Sequence, residues 1–235
     1  MQKYQEVSKL YKEIIDAITT LEVPQAKLFL VNLEKRIVNK ETHILAEFNT
    51  LVYLLNNLKE AKGKLPLHFA VARGNVEIVR HLIETIGVEH GTKDKEGNSP
   101  FLTAVEHGHL DLVRYFIEEL NYSPNETKEG GSSPLHLAAN HNYVDLLNYL
   151  ISKGSDIERI SMYGKPLNWA VGSHHYEAAK VLLDHGADPN ADSTGSSLAP
   201  LILAVDLNDR PLYDLLLSKG ASPNAKDPSG YSVLH

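Results

Sequence analysis

The sequence predicts an all-α solenoid of stacked helix pairs with short β-hairpin or loop tips, behind a helical cap at the N-terminus. Three observations carry that class. Five apolar bursts each open on a proline, and Pro66, Pro100, Pro134, Pro166 and Pro200 lie 34, 34, 32 and 34 residues apart. A fixed period of this size marks a chain built from stacked units. Within each unit, apolar residues recur at three- and four-residue steps, as Leu146, Leu147, Leu150 and Ile151 do, which is a helical spacing. The composition, 43% apolar and 23% charged, is that of an ordered chain.

The elements follow in order. Residues 1–59 lack the repeat, yet Tyr4, Val7, Tyr11, Ile14, Ile18 and Leu21 fall on one helical face. Pro24 ends that helix, a second is expected over residues 25–38, and a third over 42–62 with Phe48, Leu51, Val52, Leu55 and Leu58. A coiled-coil seam is the other use of such a face, but three heptads barely support one. A repeat array needs its first unit covered, so a cap is expected.

Residues 60–226 hold five repeats. Ser99-Pro100 and Ser133-Pro134 place a capping hydroxyl before a proline at the first helical position, where its missing N–H costs nothing. A short helix, a turn ("RGN", "HGH", "HNY") and a second helix follow, and Gly154, Gly186 and Gly220 suit left-handed C-terminal caps. Polar, turn-rich links at residues 94–97, 192–195 and 227–230 lead to the next unit. Residues 227–235 end on "YSVLH", with Val233 standing 33 residues after Pro200. That stretch reads as the start of a sixth repeat without its helices, so the chain is expected to continue beyond His235.

These units resemble the ankyrin repeat, through starts such as "SPLHLAA" at residues 133–139 and a period near 33. The signature histidine stands at His68, His136 and His235, while Leu102, Asn168 and Ile202 replace it elsewhere. One residue is missing between Gly164 and Pro166 and two are extra over residues 195–200, so those tips should be altered. "PLHFAVARGNVEIVRHLIE" and "KPLNWAVGSHHYEAAKVLLDHGADPNA", behind a helical cap, are also similar to the front half of ankyrin–tetratricopeptide proteins of plants and protists. That resemblance implies a link to heat-shock chaperone machinery through a downstream tetratricopeptide domain that this sequence does not contain.

Other classes fare worse. A net charge of -7 speaks against nucleic acid and anionic membranes, which recruit basic surfaces. With no cysteine, disulfides, thiolate metal sites and a cysteine nucleophile are ruled out. The start has no signal-peptide apolar core, and no apolar run approaches the ~18 residues that span a bilayer. A soluble, monomeric, intracellular protein is expected, in the cytoplasm with the nucleus left open. The cluster His107, His109 and Asp111 invites a metal, as do His141 and His174 at roughly matching positions. Stacked helices about 8–10 Å apart cannot share one ion at bonds of about 2 Å. The glycine-rich stretches at 129–134 and 193–198 lack the Lys-Ser/Thr ending of a phosphate loop, and no hydrolase elbow is present. No catalytic residue, metal or cofactor is assigned.

What the resemblance implies is a non-catalytic adaptor or scaffold, holding a protein or extended peptide on the concave face and tips with side chains that the fold leaves free. On the inner helices these are Ala72 and Arg73, Glu106 and His107, Asn140 and His141, Ser173, Asp206 and Leu207. On the tips they are Lys62, Lys64, Lys95, Asn98, Ser132, Met162, Tyr163 and Lys165, with Met162 and Tyr163 the expected anchors. Trp169 occupies the slot of Phe69 and Leu137 and is expected in the core. The alternatives are the regulatory or targeting arm of an enzyme with a downstream catalytic domain, and self-association through an open end.

Overall fold

The computed structural model describes residues 2–41, 45, 50–59, 61–190 and 198–226. The side chain of Tyr4, Phe48, the turn at 192–195 and the sixth-repeat start at 227–235 lie outside the described residues. Among the described residues there are thirteen α-helices and no strand. The tips are turns, the loop form of the expectation, with an isolated antiparallel bridge between Ser161 and Gly164. Two compact units divide the chain, Met1–Val113 and Arg114–His235.

The first unit contains α1 (Gln2–Thr20), α2 (Val23–Val38), α3 (Leu51–Asn57), α4 (Pro66–Arg73), α5 (Val76–Arg80) and α6 (Pro100–Glu106). Helix α1 packs on α4 and α2 on α5, so the N-terminal pair covers the first repeat pair. The buried stripe of α1 is Leu10, Ile14, Ala17 and Ile18, rotated from the expected face, and Leu21 is exposed. Tyr11 lies edge-on to Phe69 and donates its hydroxyl to the Lys64 carbonyl at 3.1 Å. Helix α2 starts before Pro24, which occupies its first turn. Helix α3 is shorter than expected and begins at Thr50, whose hydroxyl accepts the Tyr53 N–H at 3.1 Å.

The outer helix of the first repeat changes character: α5 passes into a π-helical turn, His81–Ile86, capped by Gly87 at φ +84°. One residue more separates Pro66 from Gly87 than separates Pro134 from Gly154. A wider i→i−5 ring takes up such an insertion without turning the rest of the helix out of register.

Helix α7 (Leu110–Glu118) leads into the second unit, which holds α8 (Pro134–Asn140), α9 (Val144–Ser152), α10 (Pro166–Gly172), α11 (Tyr176–Asp184), α12 (Pro200–Asp206) and α13 (Arg210–Ser218). The inner helices α8, α10 and α12 pack side by side, and so do the outer α9, α11 and α13. Leu146, Leu147, Leu150, Leu182, Leu212 and Leu216 fill the layer between them. Gly154, Gly186 and Gly220 have φ near +90°, as the C-terminal caps require.

The signature histidines act as clamps. The Ser133 N–H donates to His136 Nδ1 at 3.1 Å, and His136 Nε2–H donates to the Gly164 carbonyl of the next tip at 3.1 Å. His68 does the same with the Leu65 N–H and the Asn98 carbonyl. Asn168 reproduces both bonds, its Oδ1 accepting from the Lys165 N–H at 3.0 Å and its Nδ2 donating to the Leu198 carbonyl at 2.8 Å. In the second repeat, where Leu102 stands, the Ser99 hydroxyl caps α6 alone.

Candidate functional site

Several residues expected to be free are not. Asn98 and Ser132 are 3% and 5% exposed, because both lie inside the tips where backbone turns close over them. Arg73 donates from Nε to the Thr19 carbonyl at 2.9 Å, so it fastens α4 to α1. Lys165 pairs with Glu158 at 2.6 Å, and the other Glu158 oxygen accepts the Asp188 N–H at 2.8 Å, which makes the lysine a brace. His107 Nδ1 bonds the Thr103 carbonyl, and His109 Nε2 bonds the Ala72 carbonyl. Among the described residues no three His, Asp or Glu side chains gather as metal ligands.

Others stay at the surface. Lys62 is exposed in a loose pair with Glu96 at 3.6 Å, and Lys95 is exposed beside it. Lys64 and Glu106 are half-buried. His141 is exposed and stacked on Tyr143, Asp206 is exposed, and Leu207 closes α12.

Four candidates come together in the second unit. Asn140, Met162, Tyr163 and Ser173 line a groove of about 580 Å³ over α8, α10 and α12, and Trp169 and Leu203 form its apolar floor. The shortened tip makes one wall. Ser161 and Gly164 exchange backbone hydrogen bonds across Met162 and Tyr163, and the Ser161 hydroxyl donates to the Gly164 carbonyl at 2.7 Å. With their backbone held in that turn, Met162 and Tyr163 are 62% and 67% exposed. Ile160, on the same tip, is exposed as well.

Trp169 departs from the expectation of a core residue. It is half-buried, its indole N–H donates to the Ser161 hydroxyl at 3.0 Å, and its ring meets His136 and Tyr163 edge-on at 5.5 and 6.0 Å. The cause is Gly172, one helical turn on, where the other inner helices carry Ala72, Glu106, Asn140 and Asp206. Without a side chain at that position, α10 leaves the indole face on the groove. Comparing those five positions in the sequence would have located the groove.

The groove is apolar below and polar at the rim, and among its described lining residues no nucleophile, base and oxyanion donors gather as acyl transfer needs. It suits recognition by shape and hydrogen bonding. Among the described residues no helix is long and apolar enough to cross a membrane.

Comparison with known proteins agrees with the architecture. A stretch of 69 residues is 36% identical to a putative ankyrin repeat protein, L371, of Acanthamoeba polyphaga mimivirus, and covers 29% of this chain but 9% of that protein. Another 69-residue match, 44% identical, is to the mouse B-cell lymphoma 3 protein homolog, of which it covers 15%. The chain therefore spans a small part of the length of either relative. The crystal structure of the human ASB11 ankyrin repeat domain superimposes with a TM-score of 0.68 over 86% of this chain and 89% of that one, at 21% identity, a likeness of fold. The family profile described as ankyrin repeats (3 copies) matches residues 42–128, 84–161, 117–193 and 161–227 in overlapping placements, and the chain belongs to the ankyrin-repeat family.

Proposed function

We propose that this chain is a non-catalytic adaptor that holds a partner protein in the groove of its second unit, with Met162 and Tyr163 as the anchors. Ankyrin repeats are in general protein–protein interaction modules. The observation that carries the assignment to this surface is the exposed aromatic and thioether pair on a braced turn beside an open tryptophan. Rigid aromatic anchors contribute a large share of interface energy, and ordering them beforehand lowers the entropy cost of binding. The same groove would serve an arm that targets a downstream enzyme, so the reading concerns what this surface does in either setting.

The test is affinity capture from cell extract with the full chain and a Met162→Ala, Tyr163→Ala double variant. Both side chains are exposed, so the variant should keep its circular dichroism and melting temperature. Partners retained by the wild type should be lost or weakened roughly tenfold or more. Equal capture by both proteins would move the binding surface away from the groove.

A further inference from the structure

Resting on that reading, we infer that the groove takes an extended peptide segment carrying one large apolar side chain next to a lysine or arginine. The apolar residue sits over Gly172 against Trp169 and Leu203, and its basic neighbour reaches Asp206.

Three features argue for this occupant. The first is the hole itself. Apart from its own helix, a Cβ built on Gly172 would meet only Leu203 within 4 Å among the described residues, at an ordinary contact of 3.6 Å, so α10 leaves room there. Its floor is aromatic and aliphatic, and covering such a floor with an apolar side chain removes both surfaces from water.

The second feature is the hydrogen bonding at the rim. Asn140 Oδ1 accepts the Ser173 hydroxyl at 2.9 Å, and its Nδ2 protons have no partner among the described residues. An amide held by one bond with its donors unused suits a backbone carbonyl, which an extended peptide presents and a helix keeps for itself.

The third feature is charge. Asp206 lies three residues beyond Leu203 on α12, hence on the same face. It is exposed and unpaired among the described residues. The nearby positive charge of Lys165 is neutralised by Glu158. Residues 114–235 hold fifteen Asp and Glu against nine Lys and Arg, whereas residues 1–113 hold fifteen against fourteen. The acidic excess of the chain thus belongs to the half that bears the groove, and it favours a basic ligand over an acidic one.

The chain's single tryptophan is Trp169, so its emission reports directly on the groove. The probes are short tryptophan-free peptides with a central phenylalanine flanked by arginines, the same peptide flanked by glutamates, and the arginine peptide with glycine at the centre. Each is titrated into the full chain and followed by tryptophan emission and by anisotropy of a fluorescein label. The arginine–phenylalanine peptide should bind and shift the emission, with the other two weaker by roughly tenfold or more. Gly172→Leu, at a site of ordinary helical backbone, should fill the hole and lose binding to a similar extent while melting no lower than the wild type. Asp206→Lys should reverse the preference between arginine and glutamate flanks.

The inference is overturned if the glutamate peptide binds as well as the arginine peptide, or if Gly172→Leu leaves binding intact. It is equally overturned if size-exclusion chromatography shows self-association that Gly172→Leu abolishes, since a second copy then fills the groove. If no peptide binds while a captured partner still depends on Met162 and Tyr163, this inference falls and the adaptor reading stands.

Discussion

At the scale of single residues, the clamp position separates hydrogen bonding from titration. His136 is fully buried, and burial holds its pKa down at about 4, with His68 lowered for the same reason. A neutral ring is what the clamp requires, since Nδ1 accepts from the Ser133 N–H and hydroxyl while Nε2–H donates to Gly164. Because the folded pKa is depressed, the unfolded chain takes up a proton between about pH 6.5 and 4 that the folded chain refuses. This stability is therefore present above pH 6.5 and lost as the pH falls toward 4, by roughly 3 kcal/mol for His136. Asn168 shows that an amide can make both bonds without titrating. His136→Asn should accordingly fold and lose less stability between pH 7 and 4.5 than the wild type, in urea unfolding. His68 would keep part of the slope. An unchanged slope in the variant would remove His136 as its source.

At the scale of elements, the tip at 160–164 turns a deleted residue into a rigid wall. The bridge between Ser161 and Gly164 leaves two residues at the turn, and the Ser161 hydroxyl both donates to Gly164 and accepts from Trp169. The Met162 N–H also donates to the Gly130 carbonyl of the preceding tip at 2.8 Å. Ser161→Ala removes the hydroxyl's bonds to the Gly164 carbonyl and from the Tyr163 N–H and leaves a half-buried indole N–H unpaired, which should cost about 1–3 kcal/mol. The indole is then free to rotate, so tryptophan emission should shift red in the folded variant. A variant as stable as the wild type, with unchanged emission, would show that the tip does not hold the tryptophan.

At the scale of the whole molecule, stability is the sum of units that cannot bury their apolar faces alone. The N-terminal helices make this visible, since Leu10, Ile14 and Ile18 of α1 are buried where α1 packs on α4. Ile14 is 0% exposed, and Ile14→Ala should cost about 2–5 kcal/mol. Hydrogen exchange should quicken first in α1 and α4. Exchange that stays slow there would mean that α1 contributes little to the first repeat.

The period, the proline starts, the glycine caps and the N-terminal cap were legible in the sequence, because proline, glycine and apolar spacing act through local backbone sterics and periodicity. Even the irregular spacings had local causes, a π-turn after α5 and a two-residue tip before α10. The site was legible only in part. Met162 and Tyr163 stood out because a shortened tip has few other places to put two large side chains. Asn98, Ser132, Arg73 and Lys165 read as free, yet turn backbone buries the first two and Thr19 and Glu158 hold the others. Local sequence thus determined which helices form and, at the proline starts and glycine caps, where they begin and end. Tertiary structure decided which side chains remain available, because that depends on contacts outside a residue's own helix, as Arg73 depends on Thr19 and Lys165 on Glu158.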